Sequence, residues 1–125
     1  MWIFTNTGFI STVSNSVGNL NVRARDMASL KNLASTFKLE IEHTPLADYP
    51  YRLSLGHDQF AKWIDLQVKA IDYNNFKRSV ALTRGKRFAS ALSEVWSTMH
   101  RIEDSSARVM SQDTMKKGLK RYGNR

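Results

Sequence analysis

Within residues 19–25 apolar and polar side chains alternate, with Leu20, Val22 and Ala24 on one side and Asn21, Arg23 and Arg25 on the other. A period of two predicts a strand with one buried face. Upstream, Phe9-Ile10-Ser11-Thr12-Val13 is rich in β-branched and aromatic residues, and residues 14–19 supply turn chemistry. Residues 9–25 are therefore expected to form a β-hairpin. Trp2-Ile3-Phe4 is expected to begin its first strand, with Gly8 as a bend or bulge. A second strand pair is expected further on. Leu39, Ile41 and His43 alternate with Glu40 and Glu42; after a break from Pro45 to Pro50, Tyr51, Leu53 and Leu55 alternate with Arg52 and Ser54.

Between and after these strands the period changes to three and four. Asp26 is a suitable N-cap, and behind it Met27, Leu30, Leu33, Ala34 and Phe37 mark one helical face. The cap signal recurs at Gly56-His57-Asp58, followed by Phe60, Trp63, Ile64, Val68 and Ile71 on the inner side of a second helix. Tyr73, Phe76 and Val80 predict a short helical segment through Leu82, which Gly85 interrupts. Phe88, Ala91, Leu92, Val95, Trp96, Met99 and Ile102 predict a long helix over residues 86–104. Trp63 and Trp96 both fall on apolar helix faces and are assigned to the core. The expected architecture is α+β: a four-stranded antiparallel sheet in ββαββα order, helices on one face, and an added long C-terminal helix. The two ββα halves are alike in plan, yet no residue-by-residue repeat at a fixed offset links them. Residues 1–104 are expected to form one domain. Residues 105–125, rich in Ser, Lys and Arg, are expected to form a basic flexible tail.

Composition removes several classes of function. The 125 residues are 42% apolar and 24% charged, the balance of a globular chain rather than a disordered one. Cysteine is absent, which excludes a disulfide scaffold, a thiol nucleophile, an iron–sulfur cluster and a cysteine zinc site. The opening Met1-Trp2-Ile3-Phe4 lacks the charged and long apolar regions of a signal peptide, and no apolar run is long enough to span a bilayer. A cytoplasmic protein without a membrane partner is expected. His43, His57 and His100 are scattered, and none falls in an H-E-x-x-H pattern. Neither a phosphate-cradling glycine loop nor a G-x-S-x-G nucleophile turn occurs. Glu40 and Glu42 share a strand face, but pairing with arginine explains them more simply than acid–base work or Mg²⁺ binding. The expectation is a non-enzymatic protein with no metal and no cofactor.

Charge changes the picture. The chain carries +8, and its distribution is uneven. Residues 1–73 hold seven basic and seven acidic groups; residues 74–125 hold 12 basic and four acidic ones. Lys77, Arg78, Arg84, Lys86 and Arg87 form one basic cluster, and Lys116, Lys117, Lys120, Arg121 and Arg125 another. Such concentration favours anionic partners, while a solvated face with a solubilising tail fits the same pattern. On the sheet, Arg23, Arg25 and Arg52 are expected to face outward once Leu20, Val22, Leu53 and Leu55 face the helices. An open sheet with arginines can contact phosphates or stack on bases. Glu40 and Glu42 share that face, and cross-strand Arg–Glu pairing is the expected explanation.

Several separated motifs also agree with one another: Met1-Trp2-Ile3-Phe4 with Gly8-Phe9-Ile10-Ser11, Val22-Arg23-Ala24-Arg25, Asp48-Tyr49-Pro50-Tyr51-Arg52, and Ile71-Asp72-Tyr73-Asn74-Asn75-Phe76-Lys77 with Val95-Trp96 downstream. Over residues 1–104 the chain resembles a family of small proteins carried on bacterial chromosomes, plasmids and phages. The resemblance implies a bacterial, cytoplasmic and mobile-element context, and brings no catalytic residue. The Ile71–Lys77 motif is expected to be a helix junction, capped by Asp72, Asn74 or Asn75. Two functions follow. One is phosphate-backbone binding to DNA or RNA through Lys77, Arg78, Arg84, Lys86, Arg87, Lys116, Lys117, Lys120 and Arg121. The alternative is a protein-binding regulator, such as a phage- or plasmid-borne antagonist of a bacterial defence system, steered by its charge to an acidic protein surface.

Overall fold

The computed structural model describes residues 1–104. Five strands lie in one antiparallel sheet: β1 (Trp2–Thr5), β2 (Gly8–Ser14), β3 (Leu20–Ala24), β4 (Glu42–His43) and β5 (Tyr51–Leu55). Their spatial order is β1-β2-β3-β5-β4. Four α-helices occur among the described residues: α1 (Ala28–Phe37), α2 (His57–Lys69), α3 (Phe76–Arg84) and α4 (Lys86–Met99), the last followed by a 3₁₀ turn, His100–Ile102. The chain divides after Ser90. Met1–Ser90 form one compact unit, and a second begins at Ala91 with the remainder of α4.

The first unit follows the sequence pattern where the pattern is clean. Val22, Ala24, Leu53 and Leu55 point from β3 and β5 to the same side as Ile10 of β2. Leu30, Leu33 and Ala34 of α1 and Phe60 and Trp63 of α2 close over them. Burying each Val, Leu, Ile or Phe side chain among them stabilises by about 1.5–3 kcal/mol. Trp63, 1% exposed, donates its indole N–H to Oδ1 of the exposed Asn32 at 2.8 Å, so its one polar atom is satisfied at the rim of the core.

Elsewhere the structure corrects the expectation. The sheet has five strands rather than four because residues 2–14 are a hairpin, not one bent strand. Thr5 pairs with Gly8 across the two-residue turn Asn6-Thr7. Gly8 is where β2 starts, and glycine is required there: a Cβ would sit 2.6 and 2.7 Å from Ser29 Cβ and Cα. The strand expected over residues 39–43 contracts to Glu42–His43; Leu39 and Ile41 pack against the core outside the ladder. Asp26 does not cap α1. Met27 occupies that position without a side-chain cap, and the Asp26 carboxylate instead accepts from Ser29 Oγ. Within the expected Gly56-His57-Asp58 cap signal, Gly56 is the N-cap of α2, its N–H donating to Gln59 Oε1 at 3.2 Å, and the helix itself begins at His57. Val68 and Ile71, assigned to the inner side of that helix, are exposed. The expected helix over residues 86–104 ends at Met99. Trp96 is not core: it is 59% exposed, with its ring edge-on to His100 at 4.7 Å.

Candidate nucleic-acid interface

The junction before α3 forms as expected. Asn75 caps the helix, its Oδ1 accepting the Arg78 N–H at 3.0 Å. Val80 is fully buried, and the polar side of α3 is fastened to the β1–β2 turn. Asn6 Nδ2 donates to Ser79 Oγ at 3.1 Å, and Thr83 Oγ1 donates to the Asn6 carbonyl. Gly85 then adopts φ +88°, a left-handed value open to glycine, and the chain re-enters a helix at once.

This layout separates the five cations expected at the site. Arg84 turns inward. Its side chain is 16% exposed and forms an ion pair with Asp26. It also donates to the Thr7 carbonyl at 2.8 Å and to Ser29 Oγ at 3.3 Å, and its guanidinium lies 4.2 Å from the centroid of the Phe88 ring. Those bonds join α3 to the β1–β2 turn and to the approach to α1, so Arg84 is a fastening of the fold. Lys77, Arg78, Lys86 and Arg87 are exposed. Arg78, Lys86 and Arg87 join no ion pair among the described residues. Lys116, Lys117, Lys120 and Arg121 lie outside the described residues.

The placement of the four exposed cations is electrostatically unusual. Lys77 and Arg78 lie in the first turn of α3, and Lys86 and Arg87 in the first turn of α4. Neither first turn carries an acidic residue. A helix N-terminus is the positive end of the macrodipole, where a cation is unfavourable by about 0.3–1 kcal/mol and an anion favourable by a similar amount. Two successive helices thus each place a cation pair at the pole that attracts negative charge.

The open face of the sheet also differs from expectation. Register places one row across it: Trp2 opposite Ser11, Ser11 opposite Arg23, Arg23 opposite Arg52, and Arg52 opposite Glu42. The expected Arg–Glu pairing does not form. Glu40 is outside β4, and neither it nor Glu42 joins an ion pair among the described residues. Arg25 pairs with Asp48 at 2.9 Å, and the Arg52 guanidinium donates to the Tyr49 carbonyl at 3.2 Å. Arg23 donates to Ser11 Oγ at 2.9 Å. The Nε atoms of Arg23 and Arg52 are buried without a hydrogen-bond partner in the protein.

Sequence reasoning missed the aromatic part of this face. Phe4 and Phe9 stack with centroids 4.5 Å apart, Trp2 meets Phe9 edge-on at 5.6 Å, and Tyr49 lies 6.5 Å from Phe9. Arg23 and Arg25 each approach the Tyr49 ring to 4.7 Å from its centroid. The overlooked signal is in β1: Trp2 and Phe4 alternate with the core-packed Ile3, so the strand is apolar on both faces.

The remaining candidates are accounted for locally. His43 stacks on Tyr51 at 4.8 Å, and His100 lies 3.2 Å from a Glu103 carboxylate oxygen. Among the described residues no group of three or more His, Asp or Glu side chains could hold a metal ion, and no helix is long and apolar enough to cross a membrane. No family model, curated protein or solved structure matches the chain.

Proposed function

We propose that this chain binds nucleic acid by its phosphate backbone and carries out no chemistry on it. The observation that carries the reading is the cation pair at each helix start, Lys77–Arg78 on α3 and Lys86–Arg87 on α4, with no acidic residue in either first turn. Backbone N–H groups, the macrodipole and two cationic side chains all favour the same ligand there, an anion such as phosphate. The repetition of this arrangement in adjoining helices suits a polymer with regularly spaced phosphates. Arg84 serves by holding α3 in place. The basic residues beyond 104, including Lys116, Lys117, Lys120 and Arg121, add further phosphate contacts. Such contacts read no base code, so binding is sequence-tolerant.

Duplex DNA titrated at increasing salt tests the reading. Each phosphate neutralised contributes about −0.9 to the slope of log affinity against log salt. Lys86→Ala with Arg87→Ala should flatten that slope by about two units and weaken all sequences alike. No binding to duplex or single-stranded DNA at low salt, or an unchanged slope in the double variant, refutes it.

A second reading, attachment to another protein as an antagonist of a bacterial defence system, draws on Val95, Met99 and Ile102. These three are exposed at helical spacing in the second unit. Binding to an acidic protein with no response to nucleic acid would favour it.

A further inference from the structure

We propose that the open face of the sheet is a stacking platform for single-stranded nucleic acid, the bases lying on the aromatic cluster of β1 and β2 and the phosphates on the arginines of β3 and β5. This rests on the nucleic-acid reading above and narrows it to a strand form. Trp2 is 68% exposed although it stands in a paired strand, so a large ring is offered to solvent next to the Phe4–Phe9 stack. A base has a π-face whatever its identity, and aromatic side chains on a sheet surface accept it without reading sequence. In a duplex those faces are covered by neighbouring base pairs. Only an unpaired strand presents them to a sheet.

The arginines fix the charge of the occupant. Arg23 and Arg52 are directly opposite each other on adjacent strands, an arrangement of like charges that is unfavourable when left alone. Glu42, the carboxylate in register with Arg52, forms no ion pair with it. An anion above this row relieves the repulsion. Tyr49, 7% exposed, is a positioning residue: its ring holds the guanidinium groups of Arg23 and Arg25 at the edge of the aromatic cluster. Trp2, Ser11, Arg23 and Arg52 share one row; Ser11 is buried and Tyr49 lies over the arginines, so the row offers aromatic surface at its Trp2 end and half-buried cations beside the Tyr49 ring. That is the composition of a single-strand groove, in which successive bases stack while the backbone tracks positive charge.

The test uses the full chain with a fluorescein-labelled 12-nucleotide strand, as DNA and as RNA, and the same DNA strand annealed to its complement. Anisotropy at matched salt should give at least about tenfold tighter binding to the single strands than to the duplex. Trp2→Ala should weaken single-strand binding by about 5- to 150-fold, the range expected for loss of one stacked base, and weaken duplex binding less. Trp2→Phe should restore most of the loss, because a ring is retained. Urea midpoints for each variant establish that the fold is intact, and Trp2→Leu provides an apolar substitute if Trp2→Ala loosens β1. Equal affinity for single strand and duplex, or equal loss on both in Trp2→Ala, overturns the platform while leaving phosphate binding standing. Absence of binding to every probe at low salt overturns both.

Discussion

Replacing Arg84 with alanine separates an arginine that holds the fold from arginines that hold a ligand. The side chain is 16% exposed, whereas its partner Asp26 keeps 42% of its side chain in solvent. The pair therefore lies between an exposed ion pair, worth about 0–1 kcal/mol, and a buried one, whose disruption costs about 3–5 kcal/mol. Alanine also removes the bond to the Thr7 carbonyl, worth about 1 kcal/mol, and the approach to the Phe88 ring, worth about 0.5–1 kcal/mol. These contacts share one guanidinium and do not add fully. The expected loss is about 2–3 kcal/mol, or about 10–20 °C in Tm for a domain of this size. Urea unfolding of Arg84→Ala, Asp26→Ala and the double variant gives the loss and the coupling, which should reach about 1–2 kcal/mol. The salt slope of nucleic-acid binding, measured where the variant remains folded, should stay at its parent value. A loss under about 0.5 kcal/mol together with a slope flatter by one unit would refute the reasoning and make Arg84 a phosphate contact.

Two further substitutions test the packing. Gly8→Ala should destabilise by about 1–3 kcal/mol in urea unfolding, because its Cβ meets Ser29 Cβ and Cα at 2.6 and 2.7 Å; a neutral result would mean that α1 moves freely away from β2. Trp96→Ala should cost less than about 1 kcal/mol, since a ring 59% exposed leaves no core cavity behind; a loss near 3 kcal/mol would restore Trp96 to a core.

What the sequence made legible depended on how strictly each segment kept a single period. Residues 20–24 and 51–55 alternate without exception, and their buried sets were assigned correctly to the last residue: Leu20, Val22, Leu53 and Leu55 all meet the helices. Residues 2–4 are apolar at every position, so no alternation announced a separate strand. The turn after them is Asn6-Thr7, without the glycine that marks two-residue hairpins, and it has no positive φ. Local bonds shape it, Thr7 N–H donating to Thr5 Oγ1 at 3.3 Å and the two hydroxyls lying 3.0 Å apart, and contacts from α3, distant in sequence, fasten it. The same distance hid the role of Arg84. Its neighbours Lys86 and Arg87 share its charge and position along the chain, and nothing local says that Asp26 takes one cation and leaves the others. On the open face, charge alternation correctly put Arg23 and Arg52 outward but suggested glutamate partners. The shortness of β4 and the fold-back of residues 44–50, which brings Tyr49 over the arginines, are tertiary facts that strand periodicity does not carry.

The dependence of the β1–β2 turn on α3 has a consequence for how the chain acquires its fold during synthesis. The bonds that fasten the turn to α3 span 73 to 77 residues, so the set is incomplete until Arg84 has been added. At the usual translation rate of about 5–20 residues per second, that interval is roughly 4–15 s. A hairpin with a glycine turn closes in about 1–10 μs from local contacts alone. Here the β1–β2 turn is docked late, and Trp2, Phe4 and Phe9 emerge well before the helix that fastens it. The nascent chain thus displays its most aromatic segment unfastened for seconds, an interval in which chaperone contact or mispairing competes with native docking.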